Sequence, residues 1–170
     1  MVKQAMINYI QNDPFDEFFT PEKAITPLLP YIPTRWTVWE CTDPGNSNIS
    51  KILKWWGNKV ISTHTDTGFD FLIDTPDFDY DCIITNPPYS KKDQFLKRAY
   101  ELGKPFAMLL PVDAIASIKR VELFKKYGLE ILVMDRRINF MPDKNKVWFN
   151  VAWFCWNILP SKLEFVQLPK

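Results

Sequence analysis

The sequence holds one histidine, His64, and three cysteines, Cys41, Cys82 and Cys155, none in a C-x-x-C spacing. A zinc site or a disulfide framework needs more ligands, or closer ones. Each cysteine lies in an apolar, strand-like stretch, where a thiol acts as a small hydrophobe. No metal is expected, and a reducing cytosol is the natural setting. No apolar run is long enough to cross a bilayer, and "MVKQAMINYIQNDP" lacks the apolar region of a signal peptide. The sequence therefore predicts a soluble, cytoplasmic protein. The net charge is only +1. Strong non-specific attraction to polyanions is excluded, and any nucleic-acid surface must be a local patch.

What is present is ordinary for a globular domain: 170 residues, 46% hydrophobic and 24% charged. That length suits one core. Residues 1–18 read as an irregular segment and 19–170 as a single domain. Thr20-Pro21-Glu22 predicts a helix start, with a hydroxyl N-cap, proline at the first helical position and an acid in the first turn. Pro27, Pro30 and Pro33 keep that helix short. "RWTVWEC" reads as a buried strand, "TDPGNSN" as a turn and "ISKILKWWG" as an amphipathic helix stopped by Gly57. "KVIST" is a second strand, and Phe69–Ile73 a possible short one. "DCIIT" is an apolar strand, after which Ser90 predicts a cap for the helix "KKDQFLKRAYEL". "PFAMLLP", "LEILVMD" and "VWFNVAWFCWNI" read as strands and "VELFKKYG" as a helix. Trp148, Trp153 and Trp156 read as core.

Strands alternating with helices, several apolar at every position, predict a mostly parallel sheet covered on both faces. The last two strands have no helix between them and should pair antiparallel at the sheet's C-terminal end. In such folds ligands bind beyond the carboxyl ends of the strands. Those ends carry "TDPGNSN", then His64 with Asp66, then "NPPY", then "VDAIAS". Last comes a basic segment with Arg136, Arg137, Lys144 and Lys146.

"NPPY", residues 86–89, carries the most chemistry. Pro87 and Pro88 fix φ and remove two backbone donors, leaving rigid carbonyl acceptors at a strand end. Asn86 adds a side-chain carbonyl and Tyr89 a flat face. Converging acceptors before an aromatic platform suit a planar ring bearing an exocyclic amine. Accepting both amine hydrogens would stabilise positive charge developing on nitrogen as it attacks an electrophile.

An apolar strand running into "NPPY" resembles the S-adenosylmethionine-dependent methyltransferases that modify planar amino groups, most often adenine N6 in DNA. "FFTPEKAITPLLPYI" resembles that family's N-terminal F-x-T-P cofactor segment. "WECTDPGNSNISKIL" resembles its first strand, cofactor loop and helix, and "GFDFL" its Asp-Phe contact to the cofactor adenine. The stretch from "FAMLLPVDAIAS" to "VAWFCWNIL" is similar to the small N6-adenine enzymes of phages and prophages. Coverage runs roughly from residue 15 to residue 160. The resemblance implies a Rossmann-like class I methyltransferase fold with an antiparallel C-terminal strand, S-adenosylmethionine as cofactor and nucleic acid as substrate. Asn86, Pro87, Pro88 and Tyr89 would hold the base. Phe19, Thr20, Glu40, Cys41, Thr42, Asp43, Gly45, His64, Asp70, Phe71 and Asn86 would surround the cofactor. Lys91, Lys92, Arg136, Arg137, Lys144 and Lys146 would meet phosphates. No covalent intermediate is implied, so the cysteines are not expected nucleophiles.

Two departures stand out. The family's first loop commonly reads Glu-Pro-Ala-x-Gly-x-Gly. Here Glu40 is followed by a loop one residue longer with Gly45 alone, which must take a different path. Where the family places a ribose-binding acid after the second strand, this chain has His64, with Asp66 two residues on; His64 reads equally as a turn residue. A binding module on a degenerate methyltransferase fold, or an enzyme acting on RNA or a glutamine amide, stays open beside the DNA reading.

Overall fold

A computed structural model describes residues 20–141 and 147–168. The 1–18 segment, Phe19, Lys144 and Lys146 lie outside the described residues, as does the side chain of Trp148. Nine strands are described: β1 (Thr37–Glu40), β2 (Lys59–Ser62), β3 (Cys82–Thr85), β4 (Phe106–Pro111), β5 (Glu130–Met134), β6 (Ile138–Met141), β7 (Val147–Phe149), β8 (Val151–Trp156) and β9 (Leu163–Val166). Seven form one sheet in the order β2-β1-β3-β4-β8-β5-β9, while β6 and β7 make a separate antiparallel pair. Within the large sheet every pairing is parallel except those of β8, which runs against both β4 and β5. β3 and β4 are buried at every position, which is why they read as unbroken apolar runs.

The reversed strand is therefore present and pairs with β5, but it is not terminal. β8 lies between β4 and β5, and β9 adds an outer strand parallel to β5. β9 escaped the sequence reading because Leu163 and Phe165 of "LEFV" are exposed and alternate with half-buried neighbours. The charged segment after β5 also contains a strand, β6, whose Ile138 and Phe140 are buried.

Among the described residues four helices flank the sheet: α1 (Glu22–Ile25), α2 (Asn48–Trp56), α3 (Lys92–Leu102) and α4 (Ile118–Tyr127). In α2, Ile49, Ile52 and Leu53 form the buried stripe. The Ser47 hydroxyl accepts from the Ile49 N–H at 3.1 Å, and Gly57 closes the helix at φ 111°, a left-handed cap that favours glycine. α1 is a single turn that passes into a 3-10 segment over Thr26–Tyr31 containing Pro27 and Pro30.

Two caps differ from expectation. Pro21, not Thr20, stands at the cap of α1, because the Thr20 hydroxyl is taken by a distant partner, Asn86. Ser90 lies inside a 3-10 turn over Tyr89–Lys91, so Lys91 occupies the cap position of α3 without a side-chain bond. The β2–β3 crossover contains no strand at Phe69–Ile73. Asp70 Oδ1 accepts from the Leu72 N–H at 2.8 Å, and Asp74 Oδ2 accepts from the Asp70 N–H at 2.7 Å. These side-chain bonds offer the backbone a turn in place of a ladder. Phe69, Phe71, Phe78 and Tyr80 of this crossover surround the buried Trp39 ring of β1, at 4.9–5.8 Å between centroids. The aromatic cluster thus covers a sheet face with irregular backbone.

Candidate active site at the strand ends

β1 has β2 on one side and β3 on the other, so the chain reverses its direction of travel across the sheet at the β1/β3 pair. Clefts form at such switch points. The first side chain there is Glu40, which ends β1 and is only 1% exposed. Its Oε1 accepts from the Thr85 hydroxyl at 2.6 Å and the Thr42 N–H at 3.1 Å, and Oε2 accepts from the Ser47 hydroxyl at 3.1 Å. Burial pushes its carboxyl up to about 7, and the nearby Asp43 adds to the rise; the bonds from Thr85 and Thr42 oppose it. Glu40 thus ties β1, β3 and the following loop together. Both oxygens of this residue, expected at the cofactor site, are engaged by hydroxyls and a backbone N–H of the protein itself.

Asp43 does the same for the loop itself. Its Oδ1 accepts from the N–H groups of Gly45 (2.7 Å) and Ser47 (2.8 Å), and its Oδ2 from the hydroxyls of Ser50 (2.5 Å) and Ser62 (2.7 Å). Burial alone would raise its pKa, yet these donors together hold it below the usual carboxylate value. A loop that would otherwise lean on several glycines is organised by one carboxylate, with Gly45 (φ 116°) supplying the single left-handed position. The sequence reading missed Ser50, Ser62 and Thr85. Thr85, a hydroxyl ending an otherwise apolar strand, was the visible signal.

Beyond this loop a cleft of about 50 Å³ is lined by Cys41, Thr42, His64, Asp70, Phe71 and Pro88, among others. With Lys91, which also lines it, the cleft brings together seven of the predicted site residues. His64 is buried; its Nδ1 accepts from the Asp66 N–H at 3.0 Å and caps the turn at Thr65–Thr67. Phe71 belongs to the core, stacked on Phe95 at 4.9 Å. Burial raises all three thiols: Cys41 and Cys155 go well above the ordinary cysteine value, and Cys82 also rises. None is an activated nucleophile.

The NPPY turn leaves β3 on this rim. Asn86 is half-buried and Pro87 buried, and Pro88 forms part of the cleft wall. The Asn86 Nδ2 donates to the Thr20 hydroxyl at 3.0 Å, and its backbone carbonyl lies 3.4 Å from the Thr42 hydroxyl. Tyr89 is 2% exposed. Its ring, expected as a stacking face, packs in the core at the start of a 3-10 turn over Tyr89–Lys91.

The cations divide. Lys91 is exposed where the cleft meets an open groove of about 480 Å³ beside α3. Lys92 turns back to the Tyr89 carbonyl at 3.0 Å. Arg136 donates to the Leu168 carbonyl at 2.8 Å and pairs with Asp135, whereas Arg137 is exposed. β5, which precedes both arginines, lies three strands from β3; at strand spacing that is roughly 14 Å.

No family model matches the chain, and no curated protein matches it. Solved structures do. A candidate RNA methyltransferase from Pyrococcus horikoshii aligns over 95% of this chain and 98% of its own, with TM-score 0.61 and 17% identity. The methyltransferase subunit of a type I restriction-modification system from Streptococcus thermophilus aligns over 89% of this chain, with TM-score 0.58 and 14% identity. This chain spans 47% of that subunit's length. A class I S-adenosylmethionine-dependent methyltransferase candidate from Listeria monocytogenes aligns over 99% of this chain and 72% of its own, with TM-score 0.50 and 10% identity. Sheet order, reversed strand and these alignments agree: the chain has the Rossmann-like α/β fold of class I methyltransferases.

Proposed function

We propose that this protein is an S-adenosylmethionine-dependent methyltransferase acting on the exocyclic N6 amine of adenine, with DNA as the nucleic acid. The observation that carries the reading is the placement of Asn86. It stands at the carboxyl end of β3, beside the switch-point cleft, followed by two prolines and gripped through both side chain and backbone. A held amide with a rigid turn behind it suits alignment of an amine for in-line attack, and alignment supplies much of the rate in such transfers.

The cleft suits a nucleoside chemically. Phe71, Leu72, Pro88 and Phe95 give it an apolar floor, while Thr42, His64, Thr65 and Asp70 edge it with polar groups. Its volume is well below the roughly 300 Å³ at which small-ligand pockets begin, so the 64–72 segment must yield to admit the cofactor. Bound there, S-adenosylmethionine would supply an electrophilic methyl group. Asn86 Oδ1 and the Pro87 carbonyl would accept from the substrate amine, and the cleft wall would exclude water. The target base would be flipped out of a duplex. Stacking on Tyr89 would require the 89–91 turn to open and release its ring. Lys91, Arg137 and the basic segment containing Lys144 and Lys146 would meet phosphates; Lys92 and Arg136 are already engaged.

Calorimetric titration with S-adenosylmethionine, with and without an adenine-containing duplex, tests the first half. Binding is expected in the micromolar range, and its absence at high micromolar concentration sinks the proposal. Methyl transfer should then follow and vanish in Asn86→Ala. Transfer to RNA or to a glutamine amide, but not to DNA, would move the substrate and keep the chemistry.

A further inference from the structure

The amide of Asn86 has two ends of similar shape and opposite chemistry. As an acceptor for a substrate amine it works only with Oδ1 forward; a half-turn about χ2 would present two donors to another donor. The proposed reaction, on which this inference rests, therefore needs a device that fixes the turn of this amide. NPPY itself contains none, because the prolines constrain backbone and not χ2.

The device lies 66 positions away in sequence. Asn86 Nδ2 donates to the Thr20 hydroxyl at 3.0 Å. Thr20 is 5% exposed, so water competes poorly for that bond. The Thr20 carbonyl in turn accepts from Asn48 Nδ2 at 3.0 Å. Asn48 is the first residue of α2, directly after the loop that Asp43 organises. A continuous path thus runs from the proposed cofactor loop, through Asn48 and Thr20, to the NH2 end of Asn86. The Thr42 hydroxyl, 3.4 Å from the Asn86 carbonyl, holds the backbone of the same residue from that loop's other end.

We propose that Thr20 is a positioning residue for Asn86. Its hydroxyl captures the NH2 end of the amide so that Oδ1 faces the substrate, and Asn48 holds Thr20 in place. Thr20 acts through Asn86 and not as a contact to the cofactor.

Two readouts test this, one without any cofactor. The side-chain amide of Asn86, identified in a 15N spectrum by its absence from Asn86→Ala, should show cross-relaxation to the Thr20 methyl and slowed hydrogen exchange. Thr20→Val should erase the slowing, and Thr20→Ser should retain it. An Asn86 amide that exchanges alike in wild type and Thr20→Val overturns the link. In turnover, Thr20→Val should lower kcat about tenfold, the effect of one orienting hydrogen bond. The dissociation constant for S-adenosylmethionine should stay within about twofold, and Thr20→Ser should stay within about threefold of wild-type kcat. An unchanged kcat in Thr20→Val overturns the proposal. So does a loss of cofactor affinity matching the loss of kcat, which would make Thr20 a cofactor contact. Methylation that persists in Asn86→Ala would instead sink the functional reading, and the exchange measurement would still decide whether Thr20 orients the amide.

Discussion

Glu40 and Asp43 lie three positions apart, both almost wholly buried, yet their carboxyls shift in opposite directions. Asp43 gathers enough donors to outweigh its burial; Glu40 does not. For Glu40, the unfolded value near 4.5 rises to about 7 on folding. Between those limits the folded chain binds more protons than the unfolded one, so stability falls as pH rises through the window and levels off above it. The span corresponds to about 3 kcal/mol. Glu40→Gln should remove that slope, leaving the variant more resistant to urea than wild type at pH 8, with the difference shrinking towards pH 4.5. Parallel profiles for the two proteins would refute the buried-carboxyl assignment. Asp43 works the other way: its stabilisation is full above its unfolded value of 3.8 and is lost as pH falls through the lower folded value.

At the scale of elements, the segment after β4 depends on one buried guanidinium. Arg120 of α4 donates to the carbonyls of Ala114 (2.5 Å) and Ala116 (3.1 Å) and pairs with Asp93 of α3 at 2.5 Å. Thr85 pairs with Met108, and β4 runs three residues further to Pro111, roughly 10 Å past the end of β3. The loop that Arg120 braces therefore starts well beyond the end of β3, with Val112 and Ile115 exposed on it and Ile118 exposed at the start of α4. Arg120→Met should cost about 2–3 kcal/mol, because it leaves the buried Ala114 carbonyl unpaired and removes the partner of Asp93. Amide exchange should accelerate over residues 112–117 before it does in β4. Uniform acceleration across the sheet would mean that Arg120 supports the core generally.

Most elements were legible because they carry strong local signals. β3 and β4 are apolar throughout, and α2 has a capping serine, a buried stripe and a terminal glycine. What stayed hidden depended on distant partners. Thr20 has every local mark of a cap, but Asn86 claims its hydroxyl. Phe69–Ile73 has strand-like residues, but Asp70 and Asp74 bend it. In the site, the NPPY motif put Asn86 at a strand end, and it follows β3 directly, since strand ends follow from chain order. Whether a side chain there is open or folded inward depends on packing from other elements. That is why the burial of Tyr89 and the internal bonding of Glu40 could not be read from their neighbours in the chain.

For the whole molecule, the threading of β8 decides when the sheet can exist. Residues 151–156 must enter between two strands made earlier, β4 and β5, and bond to both. Until they do, β4 and β5 each offer an unpaired edge to their surroundings, apolar apart from Glu130. A nascent chain would carry those edges until residues 151–156 had been made, and the late insertion raises the sequence separation of the contacts that close the core. Truncation after residue 146 should therefore give aggregated material on expression, whereas truncation after residue 160, which spares β8 and removes β9, should leave a soluble fraction detectable by size-exclusion chromatography. Equal solubility of the two would show that the halves do not need their keystone. The same order of assembly leaves the edges of β4 and β5 open to pairing with other chains until β8 arrives.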